Sequence, residues 1–234
     1  MTQLNTELPA NMDCASDAEP SEESIIVQLT ALKDQLSDLT TDASAVNRAN
    51  LLLDISSLQH QVGESEEAWQ NGHDAFKVFL ENEQWEQAAQ ACEVIFKAEM
   101  DDALPALGQG IWLSVTYPID PQVSVAMLEY VVDETPHDSD GAAVAATTAY
   151  FLADMRSEGK KREDLTLYAG NLLANVARRH SNIEGQDAFD LWMERLELKD
   201  PDKFLIRLRN VIDVLVQEDW WFDREALQEQ LPES

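Results

Sequence analysis

Four histidines and two cysteines are the residues best suited to chemistry in this chain, and none falls into a working pattern. His60, His73, His137 and His180 are far apart, and no two sit four residues apart on one helix face, as a zinc helix requires. Glu-x-x-His is not repeated on two helices, so a di-iron bundle is unsupported. His137-Asp138-Ser139-Asp140-Gly141 is similar to a calcium loop, but Pro136 and Thr147 stand where the first and last ligands belong. Cys14 lies in a polar stretch and Cys92 in an apolar helical pattern, where a cysteine acts as a small hydrophobe. No motif that would make either a redox or catalytic thiol surrounds them. Gly108-Gln109-Gly110 lacks the preceding strand of a nucleotide fingerprint, and no Gly-x-Ser-x-Gly is present. No catalytic residue, cofactor site or metal site is expected.

Charge carries more information. The 234 residues hold 16 basic and 45 acidic side chains, a formal net charge of −29. Residues 1–155 carry 4 basic and 28 acidic residues, whereas 156–234 carry 12 and 17. Such a surface repels phosphate backbones and anionic membranes, so neither direct nucleic-acid binding nor membrane binding is expected. It attracts and steers basic protein surfaces. Solubility alone is the plainer reason for the same acidity. The N-terminal stretch lacks the basic and apolar regions of a signal peptide, and no segment has the length of a membrane span, so a cytoplasmic location is expected.

The elements that would position any site read as helices throughout. Residues 1–20 are polar and acidic, and they are expected to form a disordered tail. Residues 21–234 are expected to form one all-α domain. Ser21 or Ser24 can cap a first helix whose Ile25, Ile26, Leu29, Leu32, Leu36 and Leu39 form one stripe. Further helices are expected at about 43–62, 65–80, 85–98, 103–116, 121–134, 140–157, 164–180, 186–198, 201–218 and 221–230. Gly63 suits a helix end, Asp101-Asp102 a helix start, and Asp200-Pro201 the order of cap and first-turn proline. Ser157–Asp164 (SEGKKRED) reads as a charged loop. Arg178-Arg179-His180 closes a helix, where cations suit the dipole, or docks the acidic half. Trp220-Trp221-Phe222 reads as the start of the last helix, one tryptophan capping the fold and the other adding to an exposed patch. Amphipathic helices joined by short turns pack antiparallel, as a hairpin stack or as a compact bundle.

Two stretches carry a family resemblance. Residues 68–100 read AWQNGHDAFKVFLENEQWEQAAQACEVIFKAEM, and 103–136 read ALPALGQGIWLSVTYPIDPQVSVAMLEYVVDETP. In the first, Trp85 opens the second helix, with Ala88, Cys92 and Ile95 following; Gly72 and Phe76 depart from the usual order of large and small. In the second, Ala106 and Gly110 put two small residues on one face, and Ser124, Leu128, Val131 and Pro136 suit the second helix and its terminator. Ala142 and Ala146 continue the pattern in a third unit over 139–180, with a longer loop. The chain resembles a degenerate tetratricopeptide-repeat protein over about 66–136, more weakly to 180. The resemblance implies a short superhelix with a concave binding face lined by the first helix of each unit. By position that face would present Gln70, His73 and Lys77, then Leu104, Leu107 and Ile111, then Ala143, Thr147 and Tyr150. Core burial of Leu104, Leu107 and Ile111 is the alternative. The implied function is that of a non-enzymatic adaptor, assembly factor or chaperone for a basic protein. An acidic nucleic-acid mimic and an accessory subunit of an enzyme are the alternatives.

Overall fold

The structure, a computed structural model, describes residues 21–40 and 43–231; the expected tail at 1–20 lies outside them. The described residues form eleven helices and no strand. In chain order they are α1 (Glu22–Asp38), α2 (Ala45–Gln61), α3 (Ser65–Glu81), α4 (Trp85–Lys97), α5 (Ala103–Thr116) and α6 (Pro121–Glu134). Then come α7 (Asp140–Arg156), α8 (Gly159–Ser181), α9 (Gln186–Arg195), α10 (Pro201–Val216) and α11 (Arg224–Glu229).

Local chemistry accounts for most boundaries. The Ser21 hydroxyl accepts the Ser24 N–H at 3.3 Å, and the Asp120 and Asp200 carboxylates cap α6 and α10 just before their prolines. Gly63, at φ +79, follows α2 in the left-handed conformation that glycine adopts at least cost. Asp102 departs from the expected pattern. It stands at the N-cap of α5 but does not cap with its side chain; the carboxylate instead takes the Trp69 indole N–H and His73 Nε2, both at 2.7 Å. The start of α5 is thereby tied to α3. A second departure is α8, which starts at Gly159, so the charged run at 160–164 is helical rather than a loop. Lys, Arg and Glu are good helix formers, and two of the three adverse cations at this N-terminus are paired: Lys161 with Asp120 and Arg162 with Asp154, each at 2.6 Å.

Consecutive helices pack as hairpins from α1 through α8. The even helices α2, α4, α6 and α8 also touch one another in sequence, so they form one layer of the stack. Small residues set the seams. A side chain at Gly72 would meet Ile95 of α4 and Ser56 of α2 at 2.9 and 3.4 Å. One at Gly110 would meet Met127 of α6 and Cys92 of α4 at 2.3 and 2.8 Å. The two glycines thus do the same work in α3 and α5, each facing the even helices before and after it, while Phe76 fills the core one turn on.

The last long helix does not extend this order. α10 folds back against α5 and α7. Its Phe204, Leu208, Ile212 and Val216 recur every four residues and are all buried. The reason lies in α5, where every residue from Ala106 to Ser114 is buried. A helix with apolar residues on nearly every face needs cover on each of them, and burying each large side chain contributes about 1.5–3 kcal/mol.

Candidate functional site

The face that the repeat resemblance assigns to a partner is covered by the chain itself. A Cβ at Gly108 would stand 2.5 Å from Val216 and 3.1 Å from Leu215, so α10 lies directly on α5. Leu104, Leu107 and Ile111 share the face of Gly108 by helical period. Leu107 and Ile111 are both 0% exposed, and only Leu104, at 44%, reaches solvent at the edge. On α7, Ala143 and Thr147 are buried, and the Thr147 hydroxyl has no partner among the described residues. Gln70 and Lys77 are exposed on α3, and His73 is half-buried between Asp102 and Trp221. The nine positions therefore do not share one open surface.

Beyond α10, residues 217–222 run on across the same side. Gln217 takes an unusual backbone turn (φ 56, ψ −114), and the chain leaves the helix. Gln109, wholly buried, reads this segment: its side-chain carbonyl accepts the Trp221 N–H at 2.7 Å. Its amide donates to the Asp219 carbonyl at 3.4 Å. Trp221 packs on His73 and Phe76, Phe222 on Phe76 and Trp112, and Trp220 on Trp112, with the Arg224 guanidinium 4.5 Å over its ring. These aromatics precede α11 rather than opening it, and being off-helix they all turn inward, so the expected exposed patch is not formed.

An open concavity lies elsewhere, between α8 and α9; a second, of ≈ 690 Å³ and lined by more charged groups, lies between α6 and α8 beside Lys161 and Tyr168. The first is a cleft of ≈ 720 Å³. Its floor is Gly170, Leu173, Ala174 and Ala177 of α8; its wall is Phe189 and Met193 of α9; Tyr150 of α7 and Ile183 also line it. Asn182 (φ 51) and Gly185 (φ 81) turn the chain sharply between the two helices. α9 is then pinned by Trp192, which is buried and donates its indole N–H to His180 Nδ1 at 3.3 Å. His180 Nε2 meets Asp140 at 3.1 Å, and Arg207 of α10 holds the other oxygen of Asp140 at 2.9 Å. This chain of contacts holds α9 in place without its backbone running along α8. Arg178 at the rim makes no ion pair among the described residues; its Nε donates to the Ala174 carbonyl.

Of the nine expected positions, only Tyr150 lines this cleft. Sequence reasoning missed Gly170, Ala174, Phe189 and Met193. The signal was present: Gly170 and Ala174 repeat the four-residue spacing of small residues seen in Ala106 and Gly110.

Other groups have structural explanations. Burial raises the pKa of the Cys92 thiol, which removes the thiolate that reactivity needs. Tyr168 donates to both oxygens of Glu129, and this bond to a carboxylate pushes its pKa up to about 12. A cavity of ≈ 320 Å³ beside Trp221 is bounded by His73, Phe76, Lys77, Leu80 and Glu81. Among the described residues no cluster of His, Cys, Asp or Glu has the grouping that holds a metal ion. None of the described helices is long and apolar enough to cross a membrane.

Compared with protein-family models, curated proteins and solved structures, the chain matches none. Fold and site define an all-α stack of packed helical hairpins, closed on one side by α10 and carrying an apolar cleft between α8 and α9.

Proposed function

We propose that this chain is a tetratricopeptide-like, non-enzymatic protein-binding adaptor, assembly factor or chaperone of the cytoplasm. Its partner is a protein with a basic surface. The observation that carries this reading is the open α8–α9 cleft, an apolar concavity on a chain of net charge −29. Apolar surface left open in an otherwise charged protein is a usual mark of an interaction site. The acidic field speeds encounter, and the cleft supplies contacts that exclude water.

The test is quantitative capture from the native cell with the wild-type chain and with Ala174→Arg, which puts a long cation on the cleft floor. One basic partner should be enriched by the wild type and reduced at least tenfold, roughly 1.4 kcal/mol, by the variant. Capture should survive about 0.5 M salt, which screens exposed charges but not apolar contacts. Loss of all capture in salt, with Ala174→Arg behaving as wild type, would point instead to an acidic mimic of nucleic acid. Recovery of an enzyme at fixed stoichiometry, again insensitive to Ala174→Arg, would point to an accessory subunit.

A further inference from the structure

Three times in this stack an even helix is covered by the odd helix that follows it: α2 by α3, α4 by α5 and α6 by α7. At two of these seams the even helix offers small residues to a glycine of the odd helix that covers it, Ser56 to Gly72 and Cys92 and Ala89 to Gly110. α8 presents the same kind of surface, with Gly170 and Ala174 in line, but its successor stands off. α9 has ten residues and offers Phe189 and Met193 to the cleft rather than its backbone to α8. A Cβ at Gly170 would meet nothing closer than the Tyr150 ring at 3.7 Å, so the floor has room. Leu167, three residues before Gly170, is 67% exposed and carries the apolar surface on along α8. The cleft therefore has the small-residue floor and the bulky wall of a seat for a helix.

Charge selects which helix. Four carboxylates, Glu184, Asp187, Asp190 and Glu194, stand on the segment that forms the far wall, against two cations, Arg195 on that segment and Arg178 at the rim. The residues at 1–20 are acidic and lack any Lys or Arg, and a second copy of the chain would bring another net −29. Both of these occupants are repelled. We infer that the cleft seats an amphipathic α-helix of a partner protein, its apolar stripe flanked by lysine and arginine, in the place of the next odd helix. This rests on the protein-binding reading above and adds to it the seat and the chemistry of the occupant.

The probe is a synthetic peptide of about 18 residues, roughly five helical turns, with leucines at i, i+3, i+4 and i+7 and lysines on the flanks. One control has the same composition in scrambled order, and a second replaces lysine with glutamate. The full chain is labelled at its methionine methyl groups and followed by NMR. Met193 lies in the cleft wall, and Met127 in the core serves as an internal reference. The striped basic peptide should shift the Met193 resonance saturably and leave Met127 in place. Ala174→Arg and Phe189→Ala should each weaken the titration at least tenfold, roughly 1.4 kcal/mol. Their circular dichroism should remain that of the wild type. Neither control should move Met193.

The inference falls if the scrambled peptide shifts Met193 equally, because attraction to an acidic surface is then sufficient. It also falls if the striped peptide leaves Met193 unmoved. A Met193 resonance that moves on dilution of the protein alone makes a second copy the occupant and overturns it too. An unmoved Met193, with native capture still lost in Ala174→Arg, removes the helix and leaves the protein-binding reading standing. Capture indifferent to Ala174→Arg removes that reading separately.

Discussion

Arg156, at the end of α7, holds the exit of α5 together, and its removal should be felt in stability. Its guanidinium donates to the carbonyls of Ser114, Val115 and Tyr117, which stand some forty residues earlier in the chain. Arg156→Met keeps the apolar stem and deletes the fork. The three carbonyls do not suffer equally. Ser114 keeps the Ser124 hydroxyl at 3.0 Å, and Tyr117 keeps the Ile119 N–H at 2.9 Å. Val115 is left without a donor. Charge-assisted hydrogen bonds contribute about 1.5–3 kcal/mol each, and a carbonyl orphaned at this part-buried position costs at most about 1–3. Against this, burial disfavours the charged guanidinium, as its lowered pKa indicates, and removing the charge recovers that part. The net loss comes to about 2–3 kcal/mol, which in a domain of this size lowers Tm by about 5–10 °C. Arg156→Lys restores a point charge but not the planar fork, and should lie between. Thermal unfolding followed by circular dichroism checks all three proteins. An Arg156→Met variant within about 2 °C of the wild type, a shift worth under 1 kcal/mol, would show that desolvation cancels the fork and refute the reasoning.

Ile111→Asp should destroy cooperative unfolding at pH 7, since it removes a buried side chain worth about 2–5 kcal/mol and adds a buried carboxylate. The interior favours the neutral acid, so the folded-state pKa rises above the unfolded value of about 3.9. The damage should therefore be least below that pH and grow as pH rises, and a variant melting like the wild type at pH 7 would put Ile111 back on an open groove. Two glycines should respond in opposite directions. Gly108→Ala meets the backbone and side chain of α10 and should lose about 1–2 kcal/mol despite better helix propensity, whereas Gly170→Ala meets only van der Waals contact and should gain about 0.5–1. Denaturant midpoints of the pair decide whether α10 is seated as tightly on α5 as the geometry requires.

Helix type and the order of helices were legible from the sequence because they are local. The stripe beginning at Ile25, the caps at Ser21, Asp120 and Asp200, and the turn at Gly63 all act within a few residues. The small pair Ala106 and Gly110 marked a tight helix seam before any neighbour was known. Hairpin packing through α8 followed, because short connections leave an amphipathic helix few other places to go. Local signals misled where a residue had two uses. Asp102 looks like a cap, but its carboxylate is taken by Trp69 and His73 from another helix. The run at 160–164 looks like a loop, but its charges find partners at Asp120 and Asp154 and leave the helix intact. Only the tertiary structure decided where the stack closes and where it stays open. α10 could have continued the series, and nothing in its own stripe says otherwise. It returns because α5 carries apolar residues on nearly every face, and that demand is met by a helix arriving from a hundred residues later. The return buries Leu107 and Ile111 and leaves an apolar cleft open between α8 and α9. Period and spacing act along the chain, but which apolar face goes uncovered depends on the competition among all of them for the same neighbours.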